Sequence, residues 1–310
     1  MQNERNRQAA VIIPIYHPDE KFTRLLDGLK AQDGVNFFLH IVDSGSIPAS
    51  YEAHLEGLSY HIEKTTPEKF NHGGTRLSAA EACAQYPFLI FMTQDAVPAD
   101  AHALANLLSV FQDEKVGCAY GRQLPNPDAG LLGAHARLFN YPPESQVKTL
   151  ADAGTLGIKA AFLSDTFSAY RTAALQEIGG FPEDVILGED TYAAARMLLV
   201  GWKSVYCAEA QVYHSHDYTI CQEFRRYFDT GVFHAREPWI RERFGQAEGE
   251  GKKFVLSEVR YLLCRAPWML PGMVLRDGMK FLGYRMGMHE ASLPAWLREK
   301  CSMNRAYWRR

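Results

Sequence analysis

The sequence predicts an α/β fold built on a mainly parallel sheet. Short apolar runs without alternation recur along the first 120 residues, as strands buried on both faces require. Segments with apolar residues at helical spacing separate these runs, and the links between them are short. The 310 residues are 47% hydrophobic and 22% charged, a soluble globular mixture that excludes collagen-like, disordered and disulfide-scaffold classes.

Ala9 to Ile15 is the first apolar run and reads as a buried strand. Asp19 follows as a helix cap, and Phe22, Leu25, Leu26 and Leu29 share a helical face until Gly34. Phe37 to Val42 is the second strand, closed by the turn residues Asp43, Ser44, Gly45 and Ser46. Tyr60 to Glu63 reads as a short third strand. Leu77, Ala80 and Ala84 predict a helix from near Gly74 to Gln85. Phe88 to Met92 is the fourth strand, Ala101 to Phe111 a helix, and Val116 to Tyr120 the fifth strand. Residues 122–163 are rich in Pro, Gly and Asn with weak periodicity, and are expected to form a long functional loop. A strand at Phe167 to Tyr170 and a helix from Thr172 to Ile178 come next. Glu189 opens a helix that ends at Gly201, and Ser204 to Cys207 and Gln211 to Tyr213 read as two short strands. From Tyr218 onward the pattern is mostly helical.

Net charge is −3, which argues against nucleic acid as a partner. The charge is uneven. Residues 251–310 carry 12 Lys and Arg against 4 Asp and Glu, a net of +8, so the first 250 residues carry −11. A basic tail on an acidic body points to an anionic partner, a membrane surface or a phosphate-bearing substrate. The tail is also aromatic, with Trp268, Phe281, Tyr284 and Trp296. It is therefore expected to lie on an anionic membrane, with a helical cap or an oligomer contact as the competing reading. The six cysteines are dispersed and form no C-x-x-C pair, which suggests buried thiols in a reducing cytoplasm. The polar start before Val11 does not read as a signal peptide, and no apolar stretch is long enough to span a bilayer.

In open parallel sheets ligands bind beyond the carboxyl ends of the strands. That rule selects Pro14 and Tyr16, Asp43, and Thr93, Gln94 and Asp95. Asp43 reads equally as a plain turn residue. The pair Gly73 and Gly74 at a helix start either tightens a turn or brings backbone N–H groups to a phosphate. G-x-G-x-x-G and G-x-x-x-x-G-K-[ST] are both missing, which disfavours a Rossmann dehydrogenase and a P-loop kinase, and the want of a Gly-rich N-terminal phosphate loop disfavours a nucleotidyltransferase. Glu189 and Asp190 stand at a helix start, either as dipole-stabilising acids or with one of them as a general base. His214 and His216 alternate on an extended segment, so they face the same way and could join Asp95 on a divalent ion.

In this order the motifs resemble family 2 glycosyltransferases of the inverting GT-A type. The resemblance runs through Val11 to Tyr16, Ile41 to Ser46, Phe70 to Arg76 (F-N-H-G-G-T-R), Phe91 to Ala96, Ala169 to Arg171, Ile178 to Phe181, Gly188 to Asp190 and His214 to His216. It covers residues 9 to about 235. The F-N-H-G-G-T-R segment is the most specific part and is similar to bacterial rhamnosyltransferases of O-antigen and cell-surface polysaccharide synthesis. The resemblance implies a GT-A catalytic domain over 1–235 and a basic helical region over 236–310. It implies that Pro14 and Tyr16 line the nucleotide base, Asp43 hydrogen-bonds it and Arg76 contacts the nucleotide. Thr93, Gln94 and Asp95 match the family's acidic element with a single acid. Gln94 is placed near the ribose and Asp95 on Mg²⁺ or Mn²⁺, with His214 or His216 as a further ligand. Asp190 is expected to be the general base. The implied donor is dTDP-β-L-rhamnose and the implied acceptor a polyprenyl-diphosphate-linked glycan, at the cytoplasmic face of the plasma membrane. A UDP-hexose or UDP-galactofuranose donor, or a non-catalytic sugar-nucleotide or glycan-binding module, are the alternatives.

Overall fold

The computed structural model describes residues 8–45, 47–48, 51–67, 70–245 and 248–309; Ser46 of the predicted turn and the polar start at 1–7 lie outside the described residues. The strands are β1 (Ala9–Ile15), β2 (Phe37–Asp43), β3 (Tyr60–Lys64), β4 (Phe88–Met92), β5 (Val97–Pro98), β6 (Val116–Leu124), β7 (Gln146–Lys148), β8 (Phe167–Arg171) and β9 (Lys203–Tyr213). They form one sheet in the order β3-β2-β1-β4-β8-β6-β9-β5, with β7 also on β9. β1 is parallel to β2 and β4, β2 to β3, and β6 to β9. β8 is antiparallel to both β4 and β6, so those two run the same way. β5 and β7 oppose β9. The sheet is thus mainly parallel, as expected.

Both faces are covered, which is why the strands read as continuous apolar runs. Val11, Ile13 and Ile15 point into one core with Leu25, Leu26 and Leu29, while Ala10 and Ile12 point into a second with Ala79, Ala80 and Phe91. Helix Glu20–Lys30 begins where predicted, with the Asp19 side chain accepting from the Lys21 N–H. Its buried Phe22 and leucines each contribute about 1.5–3 kcal/mol of burial. A third core joins Ala195 and Leu198 of helix Glu189–Leu199 to Phe228, Val232, Ile240, Phe244 and Tyr307. Residues on both sides of 235 share it.

Three expectations change. Residues 122–163 are not a long loop: β6 runs on to Leu124, helix Leu131–Asn140 follows, and β7 precedes short helical turns. That helix escapes the pattern because the residue it buries is His135, seated against Phe254 and Tyr261, rather than a leucine. The two short strands after 203 are one strand, β9, whose exposed Glu209 interrupts the apolar run while Ala208 and Ala210 stay buried. The register shift opposite Gly121 and Arg122 absorbs the irregularity. Cys83, Cys118, Cys207 and Cys301 are buried, but Cys221 and Cys264 are exposed; all six are unpaired. Among the described residues no helix is long and apolar enough to cross a membrane.

Candidate active site

The carboxyl ends of β2, β1 and β4 lie side by side. Pro14 is half-buried in β1, opposite Val42. The Tyr16 N–H donates to Gln94 Oε1 at 2.8 Å and Gln94 Nε2 donates to the Tyr16 carbonyl at 3.2 Å, which clamps the ends of β1 and β4 together. Tyr16 stays 52% exposed, its ring 4.1 Å from that of His17. Next to it His17 holds φ at 44°, the left-handed region that non-glycine residues seldom occupy. Gly45 permits this crowding, since a Cβ there would lie 3.0 Å from the Tyr16 ring. Asp43 is buried, and its two oxygens accept from the N–H groups of Gly45 and Ile47 at 2.9 and 2.7 Å. Its carboxylate therefore builds the turn that fronts Tyr16.

The diglycine does not form an open phosphate cradle. Asn71 caps helix His72–Ala82, its Oδ1 accepting from both Gly73 and Gly74 N–H at 3.1 and 3.2 Å. Its Nδ2 donates to the Glu183 carbonyl. A Cβ on Gly73 would overlap the Pro182 carbonyl oxygen, so only glycine lets this helix start touch the 182–185 loop. One turn on, Arg76 is buried. Its Nε lies 3.1 Å from Asp165 and its Nη1 lies 2.8 Å from Glu189. Arg76, expected at the nucleotide, thus has its guanidinium engaged by protein carboxylates.

Asp190 completes this cluster. The backbone N–H groups of Asp165 and Thr191 donate to its two oxygens at 3.1 and 2.6 Å. Gly188 starts the helix at φ 84° with no side-chain cap, and Glu189 and Asp190 stand in its first turn, where acids suit the helix dipole. Ser168 and Tyr170 hydroxyls donate to Asp165 at 2.6 and 2.7 Å. Two of the three carboxylates, Asp165 and Glu189, pair with the one guanidinium. Burial opposes ionisation of Glu189, yet Arg76, His72 and backbone N–H groups together outweigh it and hold that carboxyl below its usual range. Burial, with Asp165 and Glu189 as neighbouring charges, pushes Asp190 the other way, up to about 8. The arrangement concentrates proton affinity on the one acid of the pair that is not ion-paired.

The second cluster is Asp95, His214 and His216, whose ligand atoms lie within 4.8 Å of one another. Arg137 donates to Gln123 Oε1, and a guanidinium can only donate, so that atom is an oxygen. His214 Nδ1, 2.8 Å from the same atom, therefore carries the ring proton. Burial and His216 hold His214 far below its ordinary range, so the ring is neutral. Its bare Nε2 faces Asp95 Oδ2 at 3.5 Å, and His216 Nε2 faces the same oxygen at 3.8 Å. A lone pair opposed to a carboxylate is repulsive unless a cation lies between them. The donor set of two imidazoles and one carboxylate, with one imidazole oriented by an outer amide, fits a divalent ion.

Residues Ser164 to Thr166 tie the two clusters. The Thr93 N–H donates to the Thr166 carbonyl at 3.2 Å, while the Thr93 hydroxyl is buried without a hydrogen-bond partner. Gln123 Nε2 donates to Ser164 Oγ at 3.0 Å, and Asp165 binds Asp190. Sequence reasoning left Asp165, Gln123 and Arg137 without roles. Asp165 stands just before β8 and Gln123 near the end of β6, while Arg137 lies within helix Leu131–Asn140, and no local pattern joins the three.

The family model for glycosyl transferase family 2 matches residues 10–179. This chain belongs to glycosyltransferase family 2. The family 2 enzyme is 45% identical over 298 residues to the O-antigen chain rhamnosyltransferase RfbN of Salmonella typhimurium, covering 96% of this chain and 95% of that one. It is 44% identical to the O-antigen chain rhamnosyltransferase WbaN of Salmonella anatum, with the same coverage. In fold it is similar to the mannosyltransferase PcManGT of Pyrobaculum calidifontis, solved with GDP-Man and Mn²⁺, at a TM-score of 0.57 and 18% identity over 97% of this chain and 84% of that one. Residues 1–349 of S. aureus TarS give a TM-score of 0.56 at 17% identity, over 97% and 87% of the two chains. The fold is the GT-A class expected from the motifs, and the protein is a glycosyltransferase.

Proposed function

We propose that this glycosyltransferase moves L-rhamnose from dTDP-β-L-rhamnose to a hydroxyl of a lipid-linked glycan in O-antigen synthesis, inverting the anomeric centre. Identity of 45% to an O-antigen rhamnosyltransferase over 96% of the chain carries the choice of sugar. In this reading Tyr16, Pro14, Asp43 and Gln94 form the nucleotide end. Asp95, His214 and His216 would hold Mg²⁺ or Mn²⁺, whose charge offsets that of the departing diphosphate. Asp190 takes the proton of the attacking hydroxyl, and its raised proton affinity suits that role. Glu189 and Asp165 keep Arg76 beneath it and hold the site's charge in balance.

A donor screen tests the proposal. Thermal unfolding of the purified protein should shift upward with dTDP-rhamnose and Mn²⁺ together, and with neither UDP-galactofuranose nor a UDP-hexose. A larger shift with a UDP-sugar overturns the donor assignment.

A further inference from the structure

Helices Glu248–Leu263 and Leu270–Met288 form a hairpin with two unlike faces. The inner face is pressed onto helix Ile220–Arg236. A Cβ on Gly283 would overlap the Phe224 carbonyl oxygen, and one on Gly287 that of Phe228. The outer face packs on nothing in the described molecule. There Val274, Leu275, Phe281 and Leu282 repeat at helical spacing, and they are 63%, 57%, 68% and 46% exposed. Leu263 ends the first helix exposed, and Trp268 in the connection is 77% exposed. A contiguous apolar stripe of this kind marks a surface meant to be covered.

Charge decides what covers it. The exposed charged residues of 251–288 are Lys252, Lys253, Arg260, Arg265 and Arg285, all basic. The two acids of that span, Glu258 and Asp277, are not exposed. A second copy meeting this face about a two-fold axis would bring these cations against their own counterparts. A bilayer with anionic headgroups suits both parts of the surface. The apolar stripe enters the headgroup–acyl boundary, and the surrounding cations meet lipid phosphates.

We propose that this hairpin seats the enzyme on an anionic phospholipid surface, with Trp268, Val274, Leu275 and Phe281 as the inserted side chains. The seat adjoins the chemistry. Arg276, on the flank of the same helix, donates to the Tyr218 carbonyl, and the Tyr218 ring stacks at 4.9 Å on His216 of the Asp95 cluster. Docking here does not depend on which sugar is moved. It would bring an acceptor anchored in lipid to the end of the cleft where the cation cluster lies, and that clause rests on the proposed acceptor.

Flotation of the full chain with vesicles tests the seat. The protein should rise with phosphatidylethanolamine–phosphatidylglycerol vesicles and stay behind with phosphatidylcholine alone. Leu275→Ser with Phe281→Ser should cut the bound fraction about tenfold while leaving the circular dichroism spectrum unchanged. The charge pair Arg265→Glu and Arg285→Glu should do the same without touching the apolar stripe. Transfer to a water-soluble acceptor should keep its rate in both variants, which separates failure of docking from failure of the assigned reaction. Absence of flotation with phosphatidylglycerol overturns the proposal. So does a dimer in sedimentation equilibrium that the double serine variant abolishes, since the stripe would then be a contact between copies.

Discussion

Asp190 holds its proton at a pH where most aspartates have lost theirs, because it is buried beside two other carboxylates and Arg76 is committed to those two. A base must be ionised to work. Activity of the free enzyme should therefore rise with pH through the region of 8 and level off above it, the reverse of an acid-catalysed limb. Asp190→Asn should abolish transfer with donor binding retained; full turnover in that variant would remove the base assignment. Gln123 orients His214 without touching a ligand. Gln123→Ala should weaken Mn²⁺ binding roughly 10–100-fold in a direct titration while the fold stays intact. Asp95, His214 and His216 could be picked out in the sequence because an H-x-H pair and a single acid at a strand end carry their own chemistry. Arg76 and Asp165 could not be paired, nor Gln123 and His214, since each pair is joined only by the fold across some ninety residues.

Among the elements, strands were legible wherever both faces are buried, and β1 and β4 fall where their apolar runs place them. Direction was not legible. Phe167 to Tyr170 reads as a strand from its composition, but nothing in it distinguishes parallel from antiparallel pairing with β4. The hairpin helix Leu270–Met288 shows how much one glycine position differs from another. Gly287 touches backbone, so Gly287→Leu should lower thermal stability severely, well beyond the ~1–3 kcal/mol of ordinary overpacking. Gly278 lies on the open side with nothing within 4 Å, so Gly278→Ala should raise stability by up to about 1 kcal/mol. Paired melting curves check both.

At the scale of the molecule, the tail from 251 is not an appendage. Its helices close the third core with Phe228 and Ile240 and bury a charged set of their own. Glu258 is pushed up to about 8 by burial and by the neighbouring charge of Asp277. An acid whose affinity for protons is raised by folding stabilises fully below its unfolded value. That stability is lost as pH climbs toward the folded one. Glu258→Gln stays uncharged at every pH, so its melting temperature should match the parent near pH 4 and exceed it at pH 8. Coincident curves at both pH values would show that the carboxyl is ionised in the fold. The uneven charge of the tail was visible in the sequence. That its exposed charges over 251–288 are all basic was not, because that depends on which side of each helix meets the glycine seam.

The F-N-H-G-G-T-R segment commits its polar atoms to the protein, Asn71 to Gly73, Gly74 and Glu183, and Arg76 to Asp165 and Glu189. Such a fingerprint is a mark of joinery. Substitutions that probe the proposed nucleotide end around Tyr16 and Asp43 should therefore leave the fingerprint untouched.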